Sequence, residues 1–268
     1  MPERVELYDT AYGRFLSEAY GQVRVATYGE DLGQTSWVTK EESTAIPRLL
    51  KLTANSAVLE IGCGSGAYAV HLADNVGCQI VGVDINASGI ENANRLAQDR
   101  KLQGRATFRQ YDASTKLPFD SDSLDAVFAN DVLCHIRERA SLLQEMYRVL
   151  RRDGLMLFSD ALVIGGMISH EEIATRSSIG FYVFSPPGEN ERLMQRAGFR
   201  VLAATDTTEA AAGIARRWHD ARERLKPELI KAEGPQTYEG LQRFLSCVRA
   251  LTEERRLLRF LYVGEKTS

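Results

Sequence analysis

The sequence predicts an α/β fold, a parallel sheet with helices on both faces. Three observations carry the prediction. Val58-Leu59-Glu60-Ile61 is a short, mostly apolar run; the glycine-rich bend Gly62-Cys63-Gly64-Ser65-Gly66 and a helical pattern follow it, which reads as strand, tight turn and helix. Helix and strand patterns alternate from about Ile46 to Asp160, as in parallel sheets built from crossover units. Ile80-Val81-Gly82-Val83 is a continuous apolar run that ends in Asp84, as a buried strand would.

The remaining elements follow in order. Tyr8, Tyr12, Tyr20, Tyr28 and Trp37 are aromatics at helical spacing, a pattern that usually faces a core. Ser88-x-x-Glu91 has the form of a capping box opening the helix after Asp84. The helix after His135 is expected to end at Asp153-Gly154, with Gly154 as a left-handed cap before the next strand. Residues 161–185 are mixed and end in Ser185-Pro186-Pro187-Gly188, a helix-start signal. Glu189–Ala197 reads as a helix capped by Gly198, and Phe199–Ala204 as a strand. Residues 209–254 read as helical, interrupted at Pro227 and around Gly234-Pro235; Arg259–Gly264 is a last strand.

Composition narrows the function. The 268 residues fit one large domain with insertions or two small ones. A net charge of −3 gives no field suited to nucleic acid. No apolar run approaches a membrane span and the N-terminus is not a signal peptide, so a cytoplasmic protein is expected. Cys63, Cys78, Cys134 and Cys247 form no metal-like or redox pair and read as buried thiols in a reducing compartment.

The bend implies a nucleotide-like ligand, since glycine lets backbone approach closely and the following helix offers free N–H groups. Gly62-x-Gly64-x-x-Ala67 fits a dinucleotide fingerprint, with Asp84 where a ribose-binding acid belongs, so a nicotinamide-dependent oxidoreductase is one reading. Glu60 extends the motif to Glu60-Ile-Gly62-Cys-Gly64-Ser-Gly66, which resembles the first motif of class I S-adenosylmethionine-dependent methyltransferases. Three further segments match that family in order and spacing: Ile80–Asn86, Thr107–Ala113, and Leu117–His135 with Leu142–Asp160 after it. The resemblance covers roughly residues 45–160 and is looser beyond.

The resemblance implies a Rossmann-like seven-stranded, mostly parallel sheet whose last strand is antiparallel. It implies S-adenosyl-L-methionine as cofactor and methyl transfer to an oxygen, nitrogen or carbon of a small molecule, as in the similar sarcosine and dimethylglycine methyltransferases. Residues 1–45 would form an N-terminal helical lid, and residues 46–268 the methyltransferase domain, with lid insertions at about 161–185 and 209–254. Asp84 would accept both ribose hydroxyls, Ile85 would pack on the adenine, Asp112 would accept its amino group and the backbone at Ala113 would read the ring nitrogen. Gly62, Gly64 and Gly66 form the bend; Glu60 would orient it or meet the cofactor ammonium. Asn130 follows the fourth strand, and Gly33–Trp37 resembles the stretch that closes over the methionine end.

His135 lies just past the fourth strand's end, where the transferable methyl is expected, and is the candidate general base. His219, beside Trp218 on a lid helix, is a second candidate; with Tyr182 these are the candidate substrate contacts. Arg176 and Arg216 are read as surface residues, with a substrate carboxylate as the alternative role. The chemistry needs no metal; a divalent-cation site would draw on Asp131 and Asp160. A non-catalytic module keeping the cofactor fold is the third reading, and the oligomeric state, a homodimer included, stays open.

Overall fold

A computed structural model describes residues 4–267. Its N-terminal segment carries helices α1 (Leu7–Gly13), α2 (Glu18–Tyr28) and α3 (Lys40–Leu49). Strand and helix then alternate: β1 (Ala57–Ile61), α4 (Ala67–Asn75), β2 (Gln79–Asp84), α5 (Ala87–Asp99), β3 (Ala106–Gln110) and β4 (Leu124–Ala129). A single 3₁₀ turn, Leu133–His135, precedes α6 (Arg139–Val149), β5 (Leu150–Ile164) and α7 (His170–Arg176). The chain closes with α8 (Glu189–Ala197), β6 (Phe199–Asp206), α9 (Thr208–Arg224), α10 (Lys226–Glu233), α11 (Pro235–Glu253) and β7 (Leu257–Lys266).

The seven strands form one sheet in the order β3-β2-β1-β4-β5-β7-β6. β1 to β5 pair in parallel, and β7 runs antiparallel between β5 and β6. Strand periodicity divides the core between the two faces. Val58, Ala126 and Phe128 join α3, α4 and α5 on one side; Leu59, Val127 and Ala129 join α6 and α8 on the other. The order reverses between β1 and β4, and such a switch point leaves a crevice at the strands' C-terminal ends. A third cluster covers that crevice from above, where Tyr20, Tyr28 and Trp37 pack against Trp218 of α9 and Phe244 of α11.

Four local expectations change. The cap of α5 is Asn86, not Ser88: Asn86 has extended backbone and its amide oxygen accepts the Gly89 N–H at 2.9 Å. α6 ends at Val149, and the residues expected to finish it open β5 instead. Leu124 pairs with Leu150 and Ala126 with Leu155, so the residues between bulge out. The left-handed position there is Asp153 (φ 60°) rather than Gly154. Gly154 is required for closeness instead, since a Cβ would stand 2.8 Å from the Arg151 carbonyl oxygen. β5 also runs on to Ile164, so residues 161–164 belong to the sheet.

Candidate active site

A cavity of about 650 Å³ opens at the C-terminal ends of β1, β2 and β4, beneath the N-terminal segment. Its wall brings together Glu60, Gly62, Gly64, Asp84, Ile85, Asp112, Ala113, Asn130, Trp37, His135 and Tyr182. Gly66 is absent from it: a Cβ there would meet Ala93 at 2.4 Å, so this glycine lets α5 and β3 close on the bend. Gly62 and Gly64 do line it, both at positive φ.

Asp84 braces the bend from the end of β2. One carboxylate oxygen accepts the Gly64 N–H and the other the Asn86 N–H, each at 2.8 Å. Burial raises its pKa while these backbone donors oppose the shift. Glu60 is 4 % exposed and its Oε2 has no hydrogen-bond partner. Burial, then the nearby Asp84 charge, push its carboxyl well above the usual range. Asn130 Oδ1 is likewise without a partner at the end of β4. An acid with no cation partner among the described residues and an unmet amide oxygen on the same cavity wall make a site short of donors.

His135 is held at both ring nitrogens. Nδ1 is 3.1 Å from the Phe181 carbonyl oxygen, which can only accept, so Nδ1 carries the proton. Nε2 therefore accepts from the Tyr8 hydroxyl at 3.0 Å. The Tyr182 ring lies 4.4 Å from the imidazole, centroid to centroid. Desolvation pushes the His135 pKa down to about 4. Tyr8 escaped sequence reasoning because an aromatic at helical spacing reads as core, and no local signal ties α1 to a residue beyond β4.

Trp37 lines the cavity and anchors it. Its backbone N–H donates to Asp131 Oδ2 at 2.8 Å. The other oxygen, Oδ1, accepts from Arg259 Nε at 2.9 Å, and Arg259 Nη1 donates to Glu42 at 2.7 Å. Asp160 is engaged by Arg139 at 2.7 Å and by the Asn190 amide at 2.9 Å. Both acids that a cation site would draw on are thus neutralised by guanidinium groups.

Other expected positions fall elsewhere. Trp218 is 6 % exposed and packs between Tyr28 and Trp37, because α9 turns that face onto α2 rather than onto the strand ends. His219 points Nδ1 to its neighbour Asp220 at 3.1 Å. Neither lines the cavity. Arg216 is a surface residue, 3.7 Å from Glu253. Arg176 is not: it is 1 % exposed and reaches the cavity wall, its guanidinium carbon 4.4 Å from the Tyr182 ring centre.

Residues 59–158 match a family described as "Methyltransferase domain". The chain is 31 % identical over 205 residues to the O-methyltransferase resE of Aspergillus sclerotiorum, covering 75 % of this chain and 76 % of that one. It is 27 % identical to the 27-O-demethylrifamycin SV methyltransferase of Amycolatopsis mediterranei over 263 residues, 93 % of this chain and 94 % of that protein. Among solved structures it resembles a Haemonchus contortus phosphoethanolamine N-methyltransferase 2 in complex with phosphomonomethylethanolamine and S-adenosylhomocysteine. That likeness has a TM-score of 0.81 at 20 % identity and covers 97 % of this chain but 61 % of the other. Motif order, sheet topology and kinship agree, and the chain belongs to the class I methyltransferases, enzymes that take their methyl group from S-adenosyl-L-methionine.

Proposed function

We propose that this enzyme methylates an oxygen or nitrogen of a small molecule held beneath the N-terminal segment, with His135 and Tyr8 handling the proton. The carrying observation is the Tyr8–His135 hydrogen bond on the cavity wall. The cavity's volume lies within the ~300–1,000 Å³ of ligand pockets. The residues fit the cofactor: Glu60 Oε2 and Asn130 Oδ1 are unmet acceptors, suited to a ligand ammonium, and Asp84 retains lone pairs for ribose hydroxyls.

The cofactor supplies an activated methyl on a sulfonium, so no metal is needed to polarise the leaving group. Alignment is the protein's main task. As the acceptor atom bonds to the methyl, its N–H or O–H becomes strongly acidic. Tyr8 Oη takes that proton while passing its own to His135 Nε2. Nδ1 keeps its proton throughout, since the Phe181 carbonyl fixes the tautomer. An imidazole with a pKa near 4 is neutral before reaction, and the driving force for the transfer comes from the strongly acidic methylated acceptor. The relatives named for O-methylation, and a solved neighbour named for N-methylation, support a heteroatom acceptor.

Titration calorimetry with S-adenosylhomocysteine and with NAD tests the cofactor side. Methyl transfer from labelled S-adenosylmethionine to a panel of small amines and alcohols, set against tRNA and protein, tests the acceptor side. Tight binding of NAD but not S-adenosylhomocysteine, or transfer only to macromolecules, would overturn the reading.

A further inference from the structure

Among the described residues, Arg24, Arg139, Arg222, Arg259 and Lys266 are buried cations, and each meets a carboxylate. Arg176 is as deeply buried, at 1 % exposure, and forms no such pair among the described residues. Its Nη1 has no hydrogen-bond partner. The polar groups beside it are the Tyr182 and Tyr8 hydroxyls and the Cys134 thiol. Burial raises the pKa of all three, so they stay protonated and bring no negative charge.

Three rings surround the guanidinium. Its central carbon lies 4.4 Å from the Tyr182 ring centre, 5.1 Å from Phe244 and 5.8 Å from Trp37. Ring faces attract a cation but accept its N–H groups poorly. A guanidinium cannot shed its proton to escape burial, so its charge persists in the cavity wall. The missing partner is an oxyanion, for which the planar N–H fork is shaped.

We propose that Arg176, with the Tyr182 hydroxyl beside it, seats a carboxylate or phosphate carried by the methyl acceptor, so that the enzyme acts on small anionic molecules. The inference rests on the reading above that the acceptor sits at the His135 end of the cavity. Arg176 and His135 flank the same ring: the guanidinium carbon and the imidazole centre each lie 4.4 Å from the Tyr182 centre. They are therefore no further apart than twice that distance. The anion and the methylated atom are then separated by a short chain of bonds, as in a small amino acid or a phosphorylated amino alcohol. Arg137, whose guanidinium lies 4.4 Å from the Phe181 ring at the cavity mouth, would help to draw such an acceptor in.

The test titrates the full chain, free and saturated with S-adenosylhomocysteine, with inorganic phosphate and with acetate, for wild type, Arg176→Met and Arg176→Lys. Methionine fills similar space without a buried charge, so Arg176→Met should fold at least as well as wild type. The lysine variant keeps the charge and loses the fork. Wild type should bind one of the two anions, and the anion that binds names the acceptor's group. Arg176→Met should weaken that binding by ~10-fold or more, the scale of a lost charge-assisted contact, with Arg176→Lys between. S-adenosylhomocysteine affinity should change by less than about twofold, since no contact with the cofactor is lost.

Binding of neither anion by wild type, or equal binding by wild type and Arg176→Met, overturns the proposal. So does a parallel loss of S-adenosylhomocysteine affinity in Arg176→Met, which would give the arginine to the cofactor's own carboxylate. Failure of wild type to bind S-adenosylhomocysteine would instead sink the placement of the cofactor, and titration of the free chain would still decide the arginine's role.

Discussion

The Tyr8 hydroxyl donates to His135 Nε2 at 3.0 Å across a separation of 127 residues. One partner is on the first helix and the other follows β4, so the contact exists only when the N-terminal segment lies over the strand ends. It joins closure of the cavity to the position of the candidate base.

His135→Ala should lower kcat by ~10²–10⁴, the usual contribution of general-base catalysis, with S-adenosylhomocysteine affinity nearly unchanged. Tyr8→Phe would remove the proposed relay and leave Nε2 without its donor, so kcat should fall by ~10²-fold or more, the lower end of what a proton-transfer partner contributes. Steady-state kinetics on both variants decide the matter. A loss in His135→Ala smaller than tenfold, below that range, would make His135 a packing residue.

Acid inactivation reports the same site. An ordinary histidine titrates near 6.5, whereas His135 is pushed down to about 4. The folded state thus keeps the imidazole neutral between those values while the unfolded chain protonates. Its contribution to stability is full above pH 6.5 and is lost as pH falls toward 4. The kcat profile should stay flat through pH 6 and bend only at lower pH. A limb centred near 6.5 would show that the ring is solvated during turnover.

Glu60 has the opposite sign. Its carboxyl is raised by burial, so between the unfolded value and the raised folded value the native state holds the extra proton. Stability therefore falls as pH rises through that window. Glu60→Gln should raise the Tm of the ligand-free enzyme at neutral pH and weaken S-adenosylhomocysteine binding. Thermal melts with and without that ligand check both signs.

Asp84→Ala should weaken cofactor binding by about 1.5–3 kcal/mol, the scale of lost hydrogen bonds to a charged group. It also frees the Gly64 and Asn86 N–H groups, so part of the loss comes from a bend that is no longer held. Calorimetry, with circular dichroism as the fold control, should find Asp84→Asn intermediate. Unchanged affinity in a folded Asp84→Ala would remove Asp84 from the site.

Asp131 accepts from Trp37, Ser159 and Arg259 at once. Asp131→Ala would leave Arg259, at 0 % exposure, with Glu42 as its remaining acid. Loss of one partner from a buried ion pair typically costs ~3–5 kcal/mol, and urea denaturation should show a shift of that order, moderated by Glu42.

The core α/β sheet, the glycine bend and the acid that ends β2 were legible in the sequence because each is a local pattern. An apolar run of strand length, glycines at a turn and an acid at a strand end depend on neighbours within a few positions. The antiparallel place of β7 was legible only through the resemblance, since periodicity does not set strand direction. Trp218, His219 and Arg176 were misplaced for one reason. All three lie in helical insertions, where spacing tells which residues share a face but not which element that face will meet. Packing of α9 on α2 took Trp218 into the helical core, and packing of α7 on α11 brought Arg176, the last residue of α7, to the cavity wall. Tertiary contacts between residues far apart in sequence likewise placed Tyr8 on His135 and left Arg176 without a carboxylate among the described residues, because burial and charge balance are properties of the packed molecule.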